Sequence, residues 1–397
     1  MVDNVPEGYK KTEVGIIPED WDVSEVQYAY HICNNLRFPI SEQVRKGMQG
    51  KYPYYGPTKI QDYINQYRLD GEYALIGEDG DHFLKWSTMP MTLLATGKFN
   101  VNNHAHVIQG TINETKWFYW YFYNKDITSV LSRQGAGRYK LNKSTLQSIK
   151  MPIPPRDEQT AIANSLSDVN NLITSIEKLI IKKKNIKQGV MQELLTGRKR
   201  LAGFSEKWIE KYVYEFGDIT TGSTPSTSKL EYWNGNIPWI TPTDIGENKN
   251  ISNSERQITK QGLSVLRQLR PNTVLITCIA SIGKNAILRE IGACNQQINA
   301  ITVNQYNNVD FIYYLFENNK KYLLSKAGIT ATNIISKKDF SAIIFKTPPT
   351  IEEQTAIAQI LSDMDAEIEK LKQKLKKYKQ IKQGMMQELL TGKRRLI

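Results

Sequence analysis

The chain has 397 residues, enough for two or three compact domains, and 52 Lys and Arg against 40 Asp and Glu give it a formal charge of +12. That surplus favours a polyanionic partner, usually nucleic acid, although a high pI alone is as common among ordinary soluble proteins. No segment approaches ~18 consecutive apolar residues, and the opening MVDNVPEGYKKTEVG lacks a signal-peptide core, so neither a membrane span nor export is expected. Cys33, Cys278 and Cys294 are odd in number and far apart, which fits a reduced, cytoplasmic setting.

In chain order, PEDW brings Trp21, KYPYYGPTKI (51–60) follows, and ALIGEDG (74–80) reads as an apolar run ending in a Gly-bearing loop. VNNHAHVI (101–108) follows, then the aromatic run WFYWYFY (117–123), which at helical spacing reads as core rather than as a base-stacking platform. After Pro154-Pro155 the stretch from about 157 to 195 reads as one helix, stopped at Gly197. The sequence then starts again. EQTAIA recurs at 158 and 353, and IKQGVMQELLTGRKRL (186–201) recurs as IKQGMMQELLTGKRRL (381–396), both 195 residues on. Ahead of the second helix (about 352 to 390) the match weakens but keeps its order. Trp208 answers Trp21, NIPWITPTDI (236–245) answers 51–60, VLITCIASIG (274–283) answers ALIGEDG, ACNQQINAI (293–301) answers 101–108 with Asn295 against Asn103, and FIYYLFE (311–317) answers the aromatic run.

Each helix carries a narrow apolar seam in alternating steps of four and three: Ile162, Leu166, Val169, Ile173, Ile176 and Ile180, then Ile357, Leu361, Met364, Ile368, Leu371 and Leu375. The seam shifts to Ile186, Val190 and Leu194, and to Ile381, Met385 and Leu389, as a stutter would produce. At ~1.5 Å per residue each helix is roughly 58 Å long, and its nearest partner is the other copy. The fold expected is two α/β reading domains, pseudo-two-fold related, joined by two long helices in an antiparallel coiled coil. The bounds are 1–153 and 202–347 for the readers, 154–201 and 348–397 for the helices. Thr350 with Glu353 has the spacing of a capping box, and close packing would explain Gly189 and Gly384 within the helices. Lys182–Lys184 and the tips RKR (198–200) and KRR (393–395) read either as a solvated face or as a lining for a DNA backbone.

Catalytic motifs are scarce. There is no Walker A or GxGxxG sequence, no Asn/Asp-Pro-Pro-aromatic element of a methyltransferase, and QGAGR (134–138) lacks the strand, helix and Lys-Ser/Thr of a phosphate loop. Glu78, Asp79 and Asp81 with Glu114-x-Lys116 offer a nuclease-like acidic set, a weak pattern without a second-copy equivalent. His104-x-His106 near His82 lacks zinc-site spacing and reads as hydrogen-bonding or DNA-touching histidines.

Over almost its whole length the sequence resembles the specificity subunits of type I restriction-modification systems. The resemblance is carried by GYKKTEVGIIPEDW (8–21), GKYPYYG (50–56), VNNHAHV, GNIPWITPTDIG (235–246), SIGK (281–284) and the doubled PP…EQTAIA…QELLTG helices. It implies two target recognition domains that each read half of a bipartite, asymmetric DNA target, with the helices setting the spacer and docking two methyltransferase subunits. It implies no cofactor in this chain. S-adenosylmethionine and ATP/Mg belong to the methyltransferase and restriction subunits reached through the complex. Aligned polar or basic residues beside loops are the expected contacts with double-stranded DNA: Lys51, Tyr54, Lys59, Arg133 and Arg138 in the first reader, Lys229, Thr241, Thr243, Lys284 and Lys326 in the second, with Pro238 and Trp239 as scaffold. The alternatives are a DNA nuclease and a coiled-coil adaptor that reads no bases.

Overall fold

The computed structural model describes residues 5–134, 138–328 and 333–396 and falls into two compact units, residues 1–177 with 374–397 and residues 178–373. Each unit therefore holds one reading domain, the opening turns of the long helix after it, and the closing turns of the other long helix. Gly135, Ala136 and Gly137 of the QGAGR stretch lie outside the described residues.

Unit 1 opens with a hairpin of β1 (Tyr9–Thr12) and β2 (Gly15–Pro18), then β3 (Asp22–Glu25) and β4 (His31–Ile32). There follow β5 (Gln49–Tyr55), β6 (Ile60–Ile64), β7 (Leu69–Gly77), β8 (Thr92–Val101), β9 (Ala105–Gln109), an aromatic helix (Thr115–Phe122), β10 (Ser132–Gln134), β11 (Arg138–Lys140) and β12 (Lys150–Ile153). The main sheet runs β4-β9-β7-β8-β5-β6, antiparallel except where β5 meets the end of β8. Both faces of β7 are covered, which accounts for its unbroken apolar run. Ala74 and Ile76 face Trp117 and Phe118, while Tyr73 and Leu75 face Phe99, Val101 and Val107. The aromatic run is core, as its helical spacing indicated.

Unit 2 repeats this plan with β13 (Ile209–Tyr212), β14 (Gly217–Thr221), β15 (Trp233–Ile240), β16 (Asn250–Ile251), β17 (Gln257–Ile258), β18 (Thr273–Thr277), β19 (Asn285–Leu288), β20 (Ala293–Cys294), β21 (Ile298–Val303), a helix (Val309–Asn318) and β22 (Ile344–Thr347). Its sheets run β14-β21-β18-β19-β16 and β17-β15-β20. In β18, Val274 and Ile276 pack with Phe311 and Ile312, and Leu275 packs with Ile240 and Ile251. In each unit a strand just before the long helix (β12 or β22) pairs with one just after the repeated tryptophan (β3 or β13). Burial pushes the Cys278 and Cys294 thiols up to about 12, which keeps them as inert core groups.

The two long helices are Arg156–Leu194 and Ile351–Leu389. Within each unit their segments pair in opposite directions. Unit 1 joins Asn170 to Lys382 and Glu177 to Lys379, and unit 2 joins Asp365 to Lys187 and Glu367 to Lys183. Lys183 thus holds an ion pair, and Lys184 is 3.8 Å from Glu247. The seam is not uniform. Ile162 and Leu166 belong to the first reader's core and Ile357 and Leu361 to the second's, with Met364 against the latter. Ile173, Ile176, Ile180 and Ile368 are buried, Val169, Leu371 and Leu375 half-buried, and Ile186 and Ile381 at the stutter are exposed.

The helix ends explain the most strongly repeated letters. Glu158 is 4% exposed and receives the Trp21 indole N–H at 2.9 Å and both arms of the Arg395 guanidinium at 2.7 and 2.8 Å. Glu353, 1% exposed, receives Trp208 at 3.3 Å and both arms of Arg200 at 2.8 Å. The expected capping box is therefore half formed: Thr350 Oγ1 accepts the Glu353 N–H at 3.4 Å, while the Glu353 carboxylate is taken by arginine. Gln159 accepts the Glu114 N–H and donates to Asn113 and Pro154, and Gln354 does the same with Asn308, Asn307 and Pro348. Gly197 and Gly392 both have φ +69°. A side chain on Gly392 would strike Pro18, and one on Gly197 would press on Trp208. One arginine of each basic tip is thus a clamp rather than a free cation.

One place breaks the symmetry. Lys382 donates to Asn170 at 2.8 Å over the rings of Tyr123 and Trp120, and burial pushes its pKa down to about 8, with Lys379 adding to the effect and Glu177 opposing it. The equivalent Lys187 has a carboxylate, Asp365, beside Tyr314. Because the folded pKa of Lys382 lies below its unfolded value of about 10.4, its penalty is fully present below about pH 8 and is relieved as pH rises towards 10.4. Asn170→Asp should supply the missing charge, raise the melting temperature at pH 7 and flatten the gain between pH 8 and 10. Melts of both forms across that range check this, and an equal pH slope would refute it.

Candidate nucleic-acid interface

In unit 1 four loops converge: the β5–β6 turn (56–59), the loop after β7 (78–81), the β8–β9 turn (102–104) and the β10–β11 hairpin. They are stitched by backbone bonds. The Glu78 N–H reaches His104 O (2.8 Å), Gly80 reaches Tyr139 O (3.0 Å), Leu141 reaches Glu78 O (2.8 Å) and Asn102 reaches Tyr55 O (3.0 Å). Arg37 bridges Glu78 (2.6 Å) and the Asn103 carbonyl (3.0 Å), and Lys140 is 3.7 Å from Glu78. His104 pairs with Asp79 at 2.8 Å. Glu78 and Asp79 are therefore matched, and the exposed Lys59, Arg133 and Arg138 outnumber the exposed Asp81 and set the sign of the cluster.

Unit 2 builds the same cluster. Cys278 N–H reaches Gln297 O (2.8 Å), Asn295 reaches Ile240 O (2.9 Å) and Ala280 reaches Asn333 O (3.1 Å). Lys284 lies 3.5 Å from Pro242 O, joining the loop after β18 to the β15 loop. Thr277 Oγ1 shapes the first loop by bonding Ser281 O and the Lys284 N–H. The correspondence corrects one pairing made from sequence: Asn102, not Asn103, matches Asn295. Each sits at the start of the turn with its side-chain oxygen accepting the N–H two residues on, from His104 at 2.9 Å and Gln297 at 3.1 Å.

The residues singled out from sequence fare unequally. Lys59, Arg133, Arg138, Thr243, Lys284 and Lys326 are exposed on or beside these loops, with Arg133 over Tyr139 and Lys326 over Tyr322. Lys229 is exposed and held to Tyr232 OH at 3.2 Å. Thr241 is half-buried and spends its hydroxyl on Asp244 at 2.7 Å. Lys51 is exposed but lies back along β5 beside Tyr52, towards the open end of the hairpin. Tyr54 is a correction. It is fully buried, donates to Phe38 O at 2.8 Å and accepts from Ile40 N at 3.2 Å, in the place Trp239 holds in unit 2. It is scaffold. Arg37 was missed because its partners lie 41 and 66 residues away.

The acidic and histidine sets do not assemble into a reactive centre. Glu114 meets Arg156 at 3.1 Å and Lys116 meets Glu72 at 3.3 Å, apart from the matched Glu78 and Asp79. Among the described residues no group of three or more His, Cys, Asp or Glu is placed to hold a metal ion. His106 is fully buried, with Nε2 donating to Leu141 O at 2.7 Å and Nδ1 accepting from Asn34 at 2.9 Å. Burial lowers its pKa, so the ring is neutral. No helix among the described residues is long and apolar enough to cross a membrane.

A family model described as the type I restriction modification DNA specificity domain matches residues 18–186 and again 205–380. The chain is 28% identical over 349 residues to a putative type I restriction enzyme specificity subunit of Haemophilus influenzae, covering 84% of this chain and 85% of that one. It is 26% identical, in an alignment of 424 residues, to a putative type I restriction enzyme specificity subunit of Methanocaldococcus jannaschii, covering 98% and 97%. Its fold is similar to the crystal structure of a type I restriction-modification S subunit from M. genitalium, with a TM-score of 0.66 at 14% identity over 93% of this chain and 96% of that one. With two matched segments that span most of its length, the chain belongs to the family of type I restriction-modification DNA specificity domains and carries that domain twice.

Proposed function

We propose that this chain is the non-catalytic specificity subunit of a type I restriction-modification complex, acting on double-stranded DNA in the cytoplasm. Each reading domain, with the bounds given from sequence, recognises one half of a bipartite target through its loop cluster. The observation that carries this is the same stitched loop cluster built twice with different exposed side chains. That arrangement suits two dissimilar half-sites read by one chain. The long helices form an antiparallel coiled coil that sets the unread spacer, a reading supported by the opposed ion pairs within each unit. S-adenosylmethionine and ATP/Mg act in the methyltransferase and restriction subunits. The purified chain should neither methylate nor cut DNA, yet should dictate where partner methyltransferase subunits place methyl groups. Methylation by the isolated chain would sink the proposal. Adding whole turns to both helices should lengthen the spacer and leave both half-sites unchanged, as read by methylome sequencing.

Two copies of one methyltransferase subunit dock, in this reading, on the closing turns of the two helices. A Cβ on Gly189 or Gly384 would meet nothing within 4 Å, so packing inside the chain does not explain either glycine. Each costs a helix about 1 kcal/mol relative to alanine. The exposed neighbours Gln188, Gln192 and Glu193 recur as Gln383, Gln387 and Glu388. Several exposed positions nearer the helix middles have diverged, as in Thr174 and Glu369 or Ile181 and Lys376, while Lys182 and Lys184 recur as Lys377 and Lys379. A repeated outward face with a bare backbone suits a closely packed protein partner that binds twice.

A further inference from the structure

We infer that Asn103 and Gln296 are specificity-determining residues, each reading an adenine in its own half-site; this rests on the DNA-reading function proposed above. The two occupy the same position, directly after the matched Asn102 and Asn295, at the apex of the turn that both loop clusters share. Both side chains are exposed. The turn beneath them is fixed on both sides. Asn102 and Asn295 cap it from within. The next residue's carbonyl, of His104 or Gln297, accepts the N–H of Glu78 or Cys278 at 2.8 Å. Arg37 holds the Asn103 carbonyl, so the side-chain amide projects from a braced backbone. In unit 2 Thr224 donates to Gln296 Oε1 at 2.8 Å and acts as a positioning residue for that amide.

The chemistry is what separates this position from its neighbours. Around it the clusters differ: Glu78 stands against Cys278, His104 against Gln297 and Lys59 against Asp244. Asn102 and Asn295 are carboxamides too, but both are buried and spent on capping the turn, whereas the apex presents an exposed carboxamide in both clusters. A carboxamide offers one donor and one acceptor side by side, the complement of adenine N7 and N6–H in the major groove, which no other base edge matches as well. Arg133 and Arg138 in one cluster, and Lys284 and Lys326 in the other, supply cations for flanking phosphates.

The test uses the full chain assembled with its methyltransferase subunits, selected against a randomised duplex library. The wild-type complex should return a bipartite consensus with an adenine at one position in each half that depends on the apex amide. Asn103→Ala should relax that adenine in one half only, by about 5- to 150-fold in selectivity, and Gln296→Ala should do so in the other half only. Asn103→Asp and Gln296→Glu, which leave only acceptors, should turn the preference towards cytosine. Replacing the adenine with 7-deazaadenine should weaken the wild type and leave the alanine variants unmoved. Unchanged consensus in the variants, or a uniform loss at every position, overturns the assignment while the function stands. A wild-type complex with no consensus overturns the function and the assignment together.

Discussion

Glu158→Ala should destabilise unit 1 by about 3–5 kcal/mol, and Glu353→Ala should do the same to unit 2. Each carboxylate is almost wholly buried and accepts one hydrogen bond from an indole and two from a guanidinium, and Glu158 accepts a fourth from the Leu396 N–H at 3.4 Å. Removing it leaves an indole N–H unpaired and breaks two charge-assisted bonds. Arg395 keeps Asp20 at 2.7 Å, a contact that lowers the Asp20 carboxyl pKa, so the cost in unit 1 falls towards the lower end of that range, whereas Arg200 in unit 2 loses the carboxylate it is paired with. Because Trp21 and Trp208 lie on the two carboxylates, tryptophan fluorescence during chemical unfolding reports the change directly. A midpoint within experimental error of the wild type for both variants would show that these clamps contribute no stability. Arg395→Lys should be costly too, since a single ammonium cannot reproduce the two-pronged fit.

The second large effect concerns assembly. Gly189→Leu and Gly384→Leu should each abolish the docking of one methyltransferase subunit, and the double variant both, while the chain itself melts no lower than the wild type. The side chain enters open space, so folding is spared, and leucine is a better helix former than glycine by most of a kilocalorie. Only an approaching partner would meet it. Mass measurement of the reconstituted complexes, beside a melt of the isolated chain, separates the two consequences. Full occupancy by two subunits in the double variant would place the docking face elsewhere.

Much of the architecture was legible because it rests on period and repetition. EQTAIA and QELLTG recur with one spacing, the seam has a helical step, and Gly197 and Gly392 stop their helices as the Thr-Gly pairs indicated. The parts that were not legible depend on partners distant in sequence. Glu158 reads as an ordinary first-turn acid until Arg395, 237 residues away, closes on it. Ile162 and Leu166 fit the seam in spacing but are drawn into the reader's core beside Trp117 and Trp120. Tyr54 carries the chemistry of a DNA contact, and only the sheet reveals that its strand turns it inward. The loop clusters were the hardest to foresee, since Arg37, Glu78, Asn103 and Tyr139 become neighbours only when the turns meet.

The way the two units divide the chain has a consequence for synthesis. Unit 2 is contiguous, residues 178–373, whereas unit 1 needs residues 374–396 to complete its core around Leu389 and to bring Arg395 to Glu158. A ribosome therefore delivers every part of the second unit before the last part of the first. The reader made earliest waits longest, with Trp21 and Glu158 uncovered until the closing turns of the second helix arrive. Released chains truncated after residue 373 should present a protease-resistant second unit and a first unit still open to cleavage.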